Sequence, residues 1–184
     1  LSSGNEKIYC SFIDFLIELP EAKPEFLDEL LHFEEAITND EKKIKIFLLF
    51  FKPNYRNDWL YNNADMIVEC ALKNIRSENY DLRTLAILAY IYYQQIPRIP
   101  YDGEIAQIMV DNFENPLLTI PILTLLLHWI FDDTMENDIK EQVYNMVISE
   151  YDNLKLVINS REEDDKSAPY SLLFESLIDK IYSY

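Results

Sequence analysis

Few residues of this chain combine the types and the spacing that enzyme chemistry requires. Glu29 and His32 lie three residues apart, which is the spacing used in carboxylate-bridged di-iron bundles. Such a site needs a second Glu-x-x-His pair, but the other histidine, His128, has Leu125 at the matching position. We therefore interpret His32 as a surface residue and predict no metal site.

The remaining titratable candidates are equally weak. His128 lies in an apolar stretch beside Trp129, which predicts a buried imidazole bonded to a backbone carbonyl. Asp65 and Glu69 are one helical turn apart, as a general acid and base would be, but such pairs are common on solvated helix faces. The acidic run 132–138 lacks the pattern of a calcium loop and fits helix capping better. With no P-loop, dinucleotide fingerprint or zinc spacing either, we predict no enzymatic activity and no cofactor.

The charge balance is more informative about partners. The 184 residues include 33 acidic and 16 basic side chains, a net charge of −17. Phosphate backbones reward lysine and arginine, so general nucleic-acid binding is not expected, and neither is binding to an anionic membrane surface. A basic protein partner would be attracted. The alternative is that the charge only keeps an apolar-rich domain in solution.

The cysteines and the N-terminus bear on the compartment. Cys10 and Cys70 form no metal pattern and are too few for a disulfide scaffold, so buried free thiols in a reducing compartment are expected. The start of the chain shows no signal peptide. We predict a cytoplasmic protein, with residues 1–5 disordered or derived from a tag.

The most apolar stretch, 116–131, carries no formal charge and raises the question of a membrane span. It is shorter than the roughly 20 residues that a bilayer requires, and Pro121 and His128 interrupt it. Only two glycines occur in the chain, which argues against hairpins and multi-strand sheets. The stretch therefore predicts a central helix of an all-α protein.

Hydrophobic periodicity predicts a succession of helices separated by Pro, Asn and Asp. The predicted helical ranges are 6–19, 24–37, 39–51, 57–75, 81–95, 102–113, 116–131, 135–159 and 169–184. Between the last two, residues 160–168 are predicted to form an exposed charged loop. The whole chain, 1–184, is predicted to be a single domain.

Three of these segments repeat one layout. Each opens with an asparagine, Asn39, Asn79 or Asn115, and then becomes almost wholly apolar. The openings are spaced by 40 and 36 residues, and a more amphipathic segment precedes each one. An amphipathic helix followed by an apolar helix, repeated about four times, is typical of a helical solenoid.

The segment from Asp81 also resembles the second helix of a HEAT-type repeat. The resemblance rests on Asp81, Leu82, Arg83, Ala86, Ala89 and Tyr90. It implies a right-handed α-solenoid of about four antiparallel helix pairs, in which Arg83 ties neighbouring repeats together through an acidic partner. The unit at Asn39 matches more loosely, and the unit at Asn115 departs from the pattern.

Acidic residues concentrate where basic ones are absent. No lysine or arginine occurs between Arg98 and Lys140. In a solenoid, the ends of successive helices line up along one edge, which predicts an acidic ridge of Asp102, Glu104, Glu114, Asp132, Asp133 and Glu136. Beside it in sequence lie tyrosines that would supply aromatic anchors, Tyr93 and Tyr101 together with Tyr90 and Tyr92. The alternative is that the tyrosines pack between helices and the acids only solvate the surface.

These observations favour a non-enzymatic helical-repeat module that binds a basic protein partner through an acidic and aromatic surface. The alternative function is an acidic inhibitor of a basic bacterial toxin or nuclease, of the immunity-protein type. A metal-dependent or hydrolytic enzyme would require carboxylates that converge in a pocket. The sequence does not identify the partner or the oligomeric state.

Overall fold

The computed structural model describes residues 8, 11–15, 37–51, 62–94, 102–132, 135–164 and 169–183. Over these ranges the chain is helical and contains no strand, which confirms the predicted all-α class. The chain forms two compact units, Leu1–Ile99 and Pro100–Tyr184, and each is described by itself. The first 13 residues of the predicted helix 24–37, with Glu29 and His32, lie outside the described residues.

The helices form where apolar residues recur at helical spacing, and they begin and end at caps and turns. Those with described bounds are α1 (Asp40–Phe50), α2 (Ala64–Asn74), α3 (Tyr80–Tyr93), α4 (Gly103–Asp111), α5 (Thr119–Phe131), α6 (Asn137–Ser149), α7 (Tyr151–Asp164) and α8 (Tyr170–Tyr182). Residues 11–15 are helical as well. Among the described residues, no helix is long and apolar enough to cross a bilayer.

Two of the three asparagines that open the segments of the sequence repeat cap a helix. The side chain of Asn39 accepts a hydrogen bond from Lys42 N, and that of Asn79 accepts one from Leu82 N, so each caps its helix. Asn115 instead is buried in the turn before α5 and accepts from Leu117 N. The helix therefore begins later than the repeat suggests, at Thr119.

In unit 1, α1 and α3 run in the same direction and pack against each other. Lys43 Nζ, in the first turn of α1, donates to Asn74 Oδ1 at the end of α2, close to where α3 begins. At the other ends, Tyr93 Oη donates to Phe50 O at 2.8 Å. Helix α2 runs back between these ends. The sequence predicts an apolar stripe of Trp59, Ala64, Ile67, Val68, Ala71 and Ile75 here; Trp59 lies outside the described residues, and the other five are buried.

In unit 2, α5 and α8 have the same relation. Arg161 donates to Glu114 O, just before α5, and the neighbouring Glu162 accepts from Ser171 N at the start of α8. The starts of both helices thus lie near the end of α7. At their other ends, Lys180 Nζ lies 4.9 Å from the centroid of the Phe131 ring. Helices α4 and α6 also pack on each other, and α6 contacts α5.

The predicted helix 135–159 is wrong as a single element, because it is interrupted at Glu150. The backbone of Glu150 has φ −97° and ψ 6°, and its N–H donates to carbonyls of the preceding turn. Ser149 Oγ donates to Met146 O at 2.8 Å, a side-chain bond that bends helices. The predicted charged loop is also partly wrong, since α7 continues to Asp164, while residues 165–168 lie outside the described residues.

The Tyr93 hydrogen bond predicts a stability effect. The Phe50 carbonyl lies in the last turn of α1, where carbonyls have no partner within the helix. Replacing Tyr93 by Phe removes its buried donor, so we expect the free energy of unfolding to fall by about 1–2 kcal/mol. Urea unfolding followed by circular dichroism measures this change. Tyr92→Phe is the matched control, because Tyr92 is 43% exposed, and an equal loss in both variants would contradict the assignment.

Ion pairs attach the helical segment 11–15 to α1. The carboxylate of Asp14 accepts from Lys42 Nζ at 2.6 Å and from Lys45 Nζ at 2.8 Å. These two hydrogen bonds, first that of Lys42 and then that of Lys45, lower the pKa of Asp14 below 3.8. The bond to Asp14 likewise raises the pKa of Lys45 above 10.5.

The lowered pKa gives a pH dependence. A carboxyl with a depressed pKa in the folded state stabilises the fold above its ordinary pKa of 3.8, and the contribution is lost as the pH falls through the lowered value. We expect Asp14→Asn to reduce stability at neutral pH and to match the parent protein in strong acid. Unfolding measured across this pH range tests it, with the exposed Glu163→Gln as control. A difference between Asp14→Asn and the parent that does not change with pH would contradict the ion-pair explanation.

Candidate protein-binding surface

The structure does not bring the six residues of the predicted acidic ridge to one edge. Glu114 lies in the turn that leads into α5, whereas Asp132 directly follows the last residue of that helix. At about 1.5 Å per residue, α5 separates the two positions by roughly 20 Å. Glu136 follows in the connection to α6, and Asp133 lies outside the described residues. Glu114 therefore belongs to the opposite end of α5.

Asp102 and Glu104 have local roles at the start of α4. The Asp102 carboxylate accepts from Glu104 N at 2.8 Å and from Ile105 N at 3.4 Å, which makes it the N-cap. Glu104 lies in the first helical turn, where a negative charge is favoured by the helix dipole. Both side chains are exposed, so capping does not remove their charge from the surface.

The tyrosine anchors predicted from the sequence do not form a surface cluster. Tyr93 is 2% exposed, and its hydroxyl is hydrogen-bonded to Phe50 O inside unit 1, so we reassign it from a partner contact to core packing. Tyr90 is also buried. Tyr92 alone of the described three is substantially exposed, and its ring meets Tyr93 edge-on at 5.0 Å. Tyr101 lies outside the described residues.

A different set of exposed carboxylates lies on two helices that pack together, or directly before them. Helices α4 and α6 pack on each other, and each has an exposed side. We call the exposed sides of these two helices, with the N-cap residue of each, the acidic face. Its exposed carboxylates are Asp102, Glu104, Asp111, Glu136, Asp138 and Glu141.

No exposed lysine or arginine offsets the acidic face from within its own helices. Helix α4 has no basic residue, and the one lysine of α6, Lys140, is 8% exposed on the buried side with Val143 and Val147. Among the described residues, Glu136, Asp138 and Glu141 have no ion-pair or hydrogen-bond partner for their side chains. Their negative potential is therefore available to a basic partner.

Three members of this face, Asp111, Asp138 and Glu141, were missed by the sequence prediction. Their signal was present: each lies on α4 or α6 away from the buried positions, such as Ile105 and Val143, that define the apolar stripe. The sequence prediction instead chose residues by their nearness to helix ends. Which two helices pack side by side is a tertiary fact that periodicity does not contain.

The catalytic candidates that the structure describes are all exposed on helices. Asp65 and Glu69 are both exposed on α2, and Glu69 pairs with Lys73 at 3.1 Å. His128 was expected to be buried, but it is exposed in the last turn of α5, where a basic group is favoured by the helix dipole. Among the described residues, no group of His, Cys, Asp and Glu side chains is placed to hold a metal ion.

The two roles of Asp102 can be separated by substitution. Asp102→Asn keeps a capping oxygen and removes the charge, while Asp102→Ala removes both. We expect Asp102→Ala to lower the free energy of unfolding by about 1 kcal/mol and Asp102→Asn to change it by no more than a few tenths. Urea unfolding of the two variants measures this. Equal losses would show that the charge, and not the cap, stabilises α4.

Comparison with known proteins assigns no family to this chain. No protein-family model matches it, and neither a curated protein nor a solved structure matches it. The relation to HEAT-type repeats stays a prediction that rests on the residues from Asp81 to Tyr90. Arg83 of that segment donates to Ser77 O, in the turn before α3, at 2.8 Å, and its guanidinium carbon lies 5.8 Å from the centroid of the Tyr80 ring.

Proposed function

We propose that this protein is a non-enzymatic helical-repeat module that binds a basic protein partner through the acidic face of α4 and α6. One observation carries the proposal: two helices that pack on each other have six exposed carboxylates, four within the helices and two at their N-caps, while their only lysine is buried. Such a surface speeds the encounter with a positively charged partner and disfavours partners of like charge.

We further propose a right-handed HEAT-like α-solenoid of about four helix pairs as the architecture. The parallel arrangement of α1 with α3, and of α5 with α8, supports it. In a stack of helix pairs, the second helices of neighbouring pairs lie side by side in the same direction. The interrupted α6 and α7 would together form the first helix of the last pair.

The acidic face also has a purely local explanation, which the experiment must separate from binding. Asp138 lies in the first turn of α6 and Asp152 in the first turn of α7, and a carboxylate there stabilises a helix. A matched pair of double variants uses this symmetry. Asp138→Lys with Glu141→Lys reverses two charges of the acidic face, and Asp152→Lys with Glu163→Lys reverses two exposed charges of α7.

The test measures association with a partner recovered by affinity capture from lysate of the cells that make the protein, at low and moderate salt. We expect the acidic-face variant to lower the association rate at least about tenfold at low salt, because steering depends on local charge. The α7 variant, which has the same net charge, should lower it much less.

Equal losses in the two variants would show that net charge alone governs binding and would contradict a role for the acidic face. A captured partner that is a basic toxin or nuclease would favour the alternative function, an immunity-type inhibitor. If no partner is recovered at either salt concentration, the proposal fails.

A further inference from the structure

Helix α8 has a buried apolar side and, on another side, two large apolar residues that the fold leaves exposed. Its buried side, Tyr170, Phe174, Leu177 and Ile181, packs in unit 2. On the other side lies a row of exposed residues, which we call the α8 stripe: Leu172, Glu175, Asp179 and Tyr182. These positions follow the helical spacing of three and four residues, so the row extends along one face for about 15 Å.

The apolar members of the stripe are unusually open to solvent. Leu172 is 66% exposed and Tyr182 is 76% exposed. Phe131, at the end of the adjacent α5, is 53% exposed and contacts Lys180 Nζ, which is not part of the stripe. Exposed large apolar side chains bordered by charges, as Leu172 and Tyr182 are, are typical of interaction sites.

The two carboxylates between Leu172 and Tyr182 determine the chemistry of a ligand. Among the described residues, neither Glu175 nor Asp179 has an ion-pair or hydrogen-bond partner for its side chain. Lys180 is adjacent to Asp179 in sequence, but its ammonium group lies over the Phe131 ring, 4.9 Å from the centroid. The stripe therefore presents an uncompensated pair of negative charges, about one helical turn apart, between two apolar contacts.

We propose that the α8 stripe forms a docking site for an amphipathic helix with basic residues on its flanks. Charge complementarity selects the occupant: lysine or arginine one turn apart on the ligand would face Glu175 and Asp179, while its apolar side chains cover Leu172 and Tyr182. This site is separate in sequence from the acidic face of α4 and α6. The docking proposal rests on the proposed function in one respect, the expectation that the partner is positively charged.

Two synthetic peptides of about 18 residues, long enough to cover the stripe at about 1.5 Å per residue, test the site with the full chain. Both contain the same leucine, lysine and alanine residues. One places leucine on a single helical face with lysine on its flanks, and the other has the order scrambled. Fluorescence anisotropy measures the dissociation constants. We expect the amphipathic peptide to bind at least about tenfold more tightly than the scrambled one, since only it can make the apolar contacts.

Three double variants locate the binding. Leu172→Ser with Tyr182→Ser should abolish the preference for the amphipathic peptide. Glu175→Lys with Asp179→Lys should weaken its binding at low salt by about tenfold or more. Asp138→Lys with Glu141→Lys, on the acidic face, should leave the preference intact. All six positions are exposed, so circular dichroism should show unchanged helix content.

Other outcomes overturn the proposal in distinguishable ways. Equal affinity for both peptides, reduced only by the acidic-face variant, would refute the docking site and leave the proposed function standing. Failure of both peptides to bind would count against both. A parent protein that sedimentation shows to be a dimer, converted to a monomer by Leu172→Ser with Tyr182→Ser, would show that a second copy of the chain occupies the stripe.

Discussion

The pairing of apolar helices that run in the same direction is the constraint on which both units depend. In unit 1 the last turns of α1 and α3 are joined by Tyr93 and Phe50, and in unit 2 those of α5 and α8 meet through Lys180 and Phe131. Two helices that run in the same direction cannot be connected by a short turn, because the chain must first return to the starting end. Each pair therefore needs intervening helices. This requirement explains why segments such as α2 are amphipathic: α2 packs on α3 with one side and faces water with the other.

The same constraint affects which helices have exposed charged residues. A helix packed on both sides, such as α5, has little surface left for charged residues, so its exposed positions are a threonine, a histidine and a phenylalanine. Helices with one side open to water have more room for charge, and α4 and α6 together have four exposed carboxylates. With a net charge of −17, self-repulsion works against the compact state. Carboxylates placed at helix starts, as Asp102 and Asp138 are, offset part of this cost through the helix dipole.

Sequence patterns predicted the local structure well and the tertiary facts less well. The all-α class and the buried side of α2 follow from composition and periodicity, the cap at Asn39 follows from its residue type before an apolar run, and the structure confirms each. The interruption at Glu150 was missed because a single non-helical residue leaves the apolar spacing intact: Val147, Leu154 and Ile158 are all buried on one continuing period. The seven-residue step between the first two of these positions equals nearly two helical turns.

The exposure of His128 and the burial of Tyr93 have a common cause. Both residues lie in apolar helices, and the sequence assigned each a location from its chemical type and its neighbours. Their locations depend instead on which sides of α5 and α3 are covered by other helices. A tyrosine is stable in a core when its hydroxyl finds an acceptor, and the Phe50 carbonyl supplies one. The residues near Tyr93 in sequence do not indicate that acceptor, because Phe50 lies 43 positions earlier.

The acidic face and the α8 stripe differ in what each can contribute to binding. Exposed carboxylates at a surface act over roughly a Debye length, about 8–10 Å at physiological salt, so the acidic face can raise the rate of encounter without defining the pose of a ligand. The stripe adds apolar contacts at fixed spacing, and contacts of this kind slow dissociation and select a shape. A surface that contains both apolar and charged residues can retain a partner after long-range charge has attracted it. Because the fold already has its core on the opposite side of α8, Leu172 and Tyr182 are open to that role without loss of packing.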